Sequence, residues 1–212
     1  MRLIDYQNLI RELPHQQFGF DIKKANWQVK HQQTLVDSIF QQSNAITINR
    51  NDLRLASNIP EEFIIKTLMW GYPTKGRGKN IETLLQEDNF MSLVRIIKYY
   101  RRNNISTDRL MEDIKSTQGL GLSTMSKFTQ FLDTTINGDK AVILDIQILN
   151  VIRSGRFEEF EDLKGVGYSN AIKRYPQYIE KVNRLAQLTN TVPDQIELFL
   201  FTFGKNLSEI ND

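Results

Sequence analysis

The chain has 212 residues, 40% of them hydrophobic, with a net charge of +2, two histidines and no cysteine. That length and apolar share suit one domain, or two small lobes around a shared cleft. Without cysteine there is no disulfide and no cysteine-ligated zinc; His15 and His31 alone make a poor metal site, and no run of about 18 apolar residues offers a membrane-spanning helix.

The N-terminal stretch MRLIDYQNLIREL is broken by charges and has no signal-peptide core, so a cytoplasmic protein is expected. Leu3, Ile4, Tyr6, Leu9, Ile10 and Leu13 mark an amphipathic helix that ends before Pro14. Trp27 reads as a packing anchor. Gln33–Gln42 reads as a helix with Leu35, Val36, Ile39 and Phe40 inward. Ala45–Ile48 is one of two short strand candidates. Asp52 is expected to cap a short helix through Leu53 and Leu55. Pro60 opens a stronger helix to Trp70, with Glu61 and Glu62 suiting the positive end of its dipole.

Residues 71–80 form a glycine-rich basic loop. Lys75, Arg77 and Lys79 supply charge, and the glycines allow a phosphate backbone to come close. An ordinary solvated loop is the bland alternative. Asn80 is expected to cap a helix over 81–86. Asn89–Arg102 reads as a helix with Phe90, Leu93, Val94, Ile97 and Tyr100 inward. The net charge of +2 does not by itself indicate nucleic-acid binding, so a local basic surface must carry that reading.

Ser106 or Thr107 caps the next helix, which enters the turn Gly119-Leu120-Gly121-Leu122. Ser123 or Thr124 then caps another helix, with Met125, Phe128, Phe131 and Leu132 on one side. This is a helix-hairpin-helix pattern. Backbone amides around Gly119, Gly121 and Ser123, beside a helix N-terminus, suit a DNA phosphate. The apolar run Ala141–Leu144, the second strand candidate, ends in Asp145, and Ile146, Leu149 and Ile152 follow at helical spacing. Asp145 therefore sits at a helix N-cap, and capping alone would account for it. Leu163–Ser169 resembles a second hairpin, but the helix before it is short, so a plain loop is the preferred reading and a turn with a backbone phosphate contact the alternative; a helix over 176–188 follows. A last helix from Pro193 is apolar on all sides, so it is deeply buried or lines a pocket.

The hairpin and the aspartate segment together resemble the helix-hairpin-helix DNA glycosylase superfamily. Its 8-oxoguanine glycosylases carry G-V-G-T-K and a V-D-x-H-V-like segment; its adenine glycosylases carry G-V-G-R-S-T and I-L-D-G-N-V. The chain has Gly119-Leu120-Gly121-Leu122-Ser123-Thr124 and Ile143-Leu144-Asp145-Ile146-Gln147-Ile148, closer to the second pair. The resemblance implies a mostly helical, two-lobed fold formed by residues 1–212 as one unit. The hairpin and catalytic segment fall within 107–152, and the N- and C-terminal segments supply the second lobe. It makes Asp145 the catalytic aspartate. Direct alignment puts Ser123 at the position of the lysine nucleophile of bifunctional members, which implies a monofunctional hydrolase. Lys127 lies one turn later on the same face, 18 residues before Asp145, and stays open as a displaced amine.

By the same resemblance, Asn80 fills the space left by an extruded base. Gln195 and Phe199 repeat the Q-x-x-x-F spacing that reads and stacks that base. The cysteines for the iron–sulfur cluster of some members are absent, and no metal or cofactor is expected. The implied function is excision of a damaged or modified base from double-stranded DNA by a monomer, in base-excision repair or against modified foreign DNA. A non-catalytic helix-hairpin-helix DNA-binding protein is the alternative, and a helical protein that binds protein partners is a third. The sequence does not name the base.

Overall fold

A computed structural model describes residues 1–76 and 79–207. The fold is mostly helical, as the periodicity indicates. A 3-10 turn over Leu3–Tyr6 runs into α1 (Gln7–Arg11). β1 (Gly19–Lys23) precedes α2 (Gln33–Phe40) and pairs antiparallel with β2 (Ala45–Asn49), Ile22 opposite Ile46. Only β2 is anticipated; β1 has a four-residue alternation whose partner lies more than twenty residues away. The helix after β2, α3 (Arg50–Ala56), is capped by Asn49 and not by Asp52. Asn49 accepts from the Asp52 amide and Asp52 bonds back to the Asn49 amide, a reciprocal capping box.

Next come α4 (Pro60–Gly71), α5 (Asn80–Leu84) and α6 (Glu87–Tyr100). Lys79, not Asn80, takes the cap position of α5, and its side chain makes no capping bond. A small three-stranded sheet joins β3 (Asn104–Ile105), β4 (Thr135–Ile136) and β5 (Asp139–Lys140). Between β3 and β4 lie α7 (Thr107–Ser116), capped by Ser106, and α8 (Leu122–Phe131). α9 (Ile146–Arg153), α10 (Ala171–Thr189) and α11 (Pro193–Thr202) complete the fold. α10 begins five residues before Pro176. The proline removes one amide donor there, while buried Tyr175, Tyr178, Ile179 and Val182 keep the helix packed through it.

One contiguous apolar core runs through these elements and takes in Trp27, Phe63, Phe128 and Phe199. The N-terminal segment docks on the C-terminal half. The Leu3 and Ile4 amides donate to the Glu159 carboxylate, and the Tyr6 ring lies 5.3 Å from that of Phe199. No helix among the described residues is long and apolar enough to cross a membrane.

Candidate active site

The turn between α7 and α8 needs its first glycine twice over. Gly119 has φ +86°, and a Cβ there would lie 2.8 Å from the Asn80 carbonyl oxygen. The hairpin is thereby seated on the start of α5. Gly121, with extended φ −119°, is the N-cap of α8; neither Ser123 nor Thr124 caps it. Ser123 lies inside the helix, and its carbonyl and hydroxyl oxygens each accept from the Lys127 ammonium at 3.0 Å.

Past the small sheet, the Ala141 amide still donates to the Thr134 carbonyl at 3.0 Å, but residues 141–144 belong to no helix or strand. They are fully buried, and side chains complete their backbone bonding. Tyr175 and Tyr178 of α10 donate to the Val142 and Ile143 carbonyls at 2.8 and 2.9 Å. Gln130 of α8 accepts from the Ile143 amide, and Ser126 from the Leu144 amide. Buried backbone polar groups must be paired, and here two helices supply the partners that a strand neighbour otherwise would. At the end of this clamped run, Asp145 caps α9, its Oδ1 accepting from the Gln147 and Ile148 amides at 2.9 and 3.1 Å.

Asp145 and Lys127 line one cleft of about 210 Å³. Gly71 stands against the lysine stem, where a Cβ would come within 2.8 Å of Lys127 Cδ. The Lys127 nitrogen lies 5.6 Å from the centre of the Tyr72 ring. Phe20, Trp70 and Phe201 give the cleft aromatic walls, and Trp70 is set edge-on to Phe20 and Phe131. A larger depression of about 480 Å³ between the 3-10 helix Glu158–Leu163 and α10 is lined mainly by charged side chains and leucines. It has no aromatic wall, and its Lys181 amine is ion-paired with Asp162 at 3.0 Å, so the smaller cleft is the better candidate.

Gln195 and Phe199 lie elsewhere. Gln195 accepts from the Val192 amide and donates to the Arg11 carbonyl, tying α11 to α1. Phe199 is fully buried against Tyr6 and Phe157. From the same helix, Glu197 and Phe201 face the cleft. They have the same four-residue spacing, shifted by two positions, which turns a helix by about 200°. Glu197 is buried and ion-paired with Arg50 at 2.6 Å. Burial pushes its carboxyl above the usual range despite that guanidinium. Arg50 also lies 5.5 Å from the Trp70 ring. Its Nε and Nη2, like Trp70 Nε1, are buried without hydrogen-bond partners among the described residues.

The basic loop is less free than its composition suggests. Lys75 pairs with Glu82 at 2.5 Å and bonds the Gln28 carbonyl, so its charge is locally neutralised. Lys79 and Asn80 are exposed; Arg77 lies outside the described residues. No cluster of three or more metal-ligating side chains occurs among the described residues.

A family model described as "Putative 8-oxoguanine DNA glycosylase OGG-like protein" matches residues 11–201. The chain belongs to this OGG-like family. The match spans α4, the hairpin, the Asp145 segment and most of α11, so every side chain of the cleft lies within it. No curated protein and no solved structure matches the chain. For this OGG-like protein, the N-cap position of Asp145 and the glycine turn between two helices were readable from sequence. Glu197, Phe201, Phe20 and Trp70 were not. The one signal that could have exposed the first two is the second i, i+4 pair on the last helix.

Proposed function

We propose that the chain is a DNA glycosylase that extrudes a base into the cleft between Trp70 and Phe201 and breaks its N-glycosidic bond. The observation that carries this reading is that Lys127 and Asp145 line the same aromatic-walled cleft. A base must leave the stack before such chemistry can reach it, and aromatic walls replace the stacking it loses. As the C1′–N bond breaks, positive charge develops on the sugar. An ionised Asp145 stabilises that charge, the logic shared with glycoside hydrolysis.

The geometry favours Lys127 over Ser123 as the reactive position. Ser123 is outside the cleft lining and instead holds the lysine nitrogen. In its neutral form Lys127 attacks C1′, and the bonding pair leaves with the base, which takes up a proton. Loss of a proton from the amine and opening of the sugar ring, with O4′ protonated, leave a C1′=N Schiff base. Glu197 at the cleft wall, held by Arg50, offers carboxyl oxygens to N–H donors on the base. That preference suits a base edge with adjacent donors, as on guanine-type bases.

The test is base release from a panel of duplexes carrying 8-oxoguanine, uracil, alkylated bases, mismatched adenine or modified cytosines, run with and without borohydride. Base release with a trapped protein–DNA adduct that disappears in Lys127→Gln is expected. Base release with no adduct would make the enzyme a monofunctional hydrolase. DNA binding with no base released from any duplex would leave a non-catalytic DNA-binding module.

A further inference from the structure

Asp145 borders a second depression, separate from the cleft and about 330 Å³ in volume. One side is the first hairpin, through Gly121, Leu122 and Ser123; the other is the second glycine turn and the start of α10, through Tyr168 and Ile172. Ile146 also lines it. Its lining is apolar apart from two hydroxyl side chains and the Asp145 carboxylate.

Two large apolar side chains of this groove are exposed, Tyr168 at 75% and Ile146 at 39%. Tyr168 is not on a loose tip. Asn170 accepts from the Gly167 amide at 2.8 Å and donates to the Gly165 carbonyl at 3.1 Å, while Val166 and Ala171 are buried on either side. A fixed turn therefore holds an aromatic ring in solvent beside the candidate catalytic carboxylate. Exposed Lys115 and Lys173 adjoin groove residues Ile114 and Ile172 in the chain.

We infer that this groove takes the DNA strand next to the extruded nucleotide, with the Tyr168 ring against the adjoining deoxyribose. The inference rests on the glycosylase reading. If the reacting sugar meets Asp145 with its base in the cleft, the strand must continue away from that carboxylate. The groove is continuous with Asp145 and is walled by the phosphate-binding hairpin. Its apolar lining suits sugar faces, and the hairpin amides suit the phosphates. The second glycine turn thus becomes half of the DNA surface.

The absence of native cysteine gives a clean probe. Tyr168→Cys is mixed with duplexes that hold a central tetrahydrofuran abasic analogue and a thiol tether at one nucleotide at a time. Disulfide cross-linking is expected at nucleotides flanking the abasic position on the same strand, and not at distant or complementary positions. Tyr168→Ala should weaken binding of the untethered abasic duplex about tenfold, the change that about 1.4 kcal/mol produces, with Tyr168→Phe near wild type. Wild-type binding that persists unchanged in Tyr168→Ala, or cross-linking without positional preference, would overturn the groove and leave the glycosylase reading standing. A wild type with no preference for abasic over undamaged duplex would overturn both.

Discussion

One oxygen of Asp145 is committed to the Gln147 and Ile148 amides, and no described group bonds the other. The same side chain can therefore cap α9 and still present charge to the cleft. Asparagine caps a helix about as well as aspartate, so Asp145→Asn keeps the first role and removes the second. Base release in single turnover should fall by about a hundredfold or more, as losses of transition-state charge stabilisation do, while melting temperature and affinity for an abasic duplex stay close to wild type. A rate near wild type would sink the catalytic assignment; early melting would make Asp145 a cap alone. At this scale the sequence was informative where chemistry and chain order coincide, as for Asp145 and Lys127. It failed on the last helix because α11 is buried nearly all round. Apolar periodicity then gives no facing direction, and Gln195/Phe199 and Glu197/Phe201 have equal spacing.

At the scale of elements, the run from Ala141 to Leu144 has the composition of a buried strand but no strand beside it. The Ala141 amide still reaches the Thr134 carbonyl, but beyond it the backbone partners are side chains of α8 and α10, up to 35 residues away in sequence. Local pattern reads burial well and says nothing of such partners, which is why the run looks like a strand from sequence. The arrangement makes Tyr178 a positioning residue. Tyr178→Phe leaves the Ile143 carbonyl buried and unpaired two residues before Asp145, a cost of about 1–3 kcal/mol. Thermal denaturation should register that loss, and base release should fall further than duplex affinity because the carboxylate moves relative to the cleft. Equal losses in rate and affinity would mean that the tyrosine supports the fold without aiming Asp145. Helix ends behave likewise. Asn49 and Asp52 both carry capping chemistry, and the reciprocal box uses both where the sequence reading chose one.

Across the whole molecule, the modest net charge hides a buried ionic cluster that joins several elements. Asp194, at the start of α11, is almost fully buried. It meets Lys140 of β5 at 2.7 Å, Arg54 of α3 and Gln130 of α8. Arg50 and Glu197 extend the cluster to the cleft. The two carboxylates shift in opposite directions. Burial raises both, but Lys140 and Arg54 bring Asp194 below its ordinary 3.8, while Glu197 stays raised against the single Arg50. A lowered carboxyl stabilises the fold above its unfolded value and loses that contribution as pH falls through its folded value. Glu197 acts oppositely: its folded form holds its proton more tightly, so its contribution is favourable at low pH and is lost as pH rises. Asp194→Asn should therefore destabilise the protein at about pH 7 by roughly 3–5 kcal/mol, since it leaves buried cations without their partner. The gap between wild type and variant should then narrow as pH drops below 3.8, where the aspartate of the unfolded chain takes up its proton, and be lost as pH falls through the lower folded value. Urea denaturation at a series of pH values measures that gap directly. A gap that stays constant into acid would mean that Asp194 acts through shape and hydrogen bonding, and that its charge does not hold the cluster together.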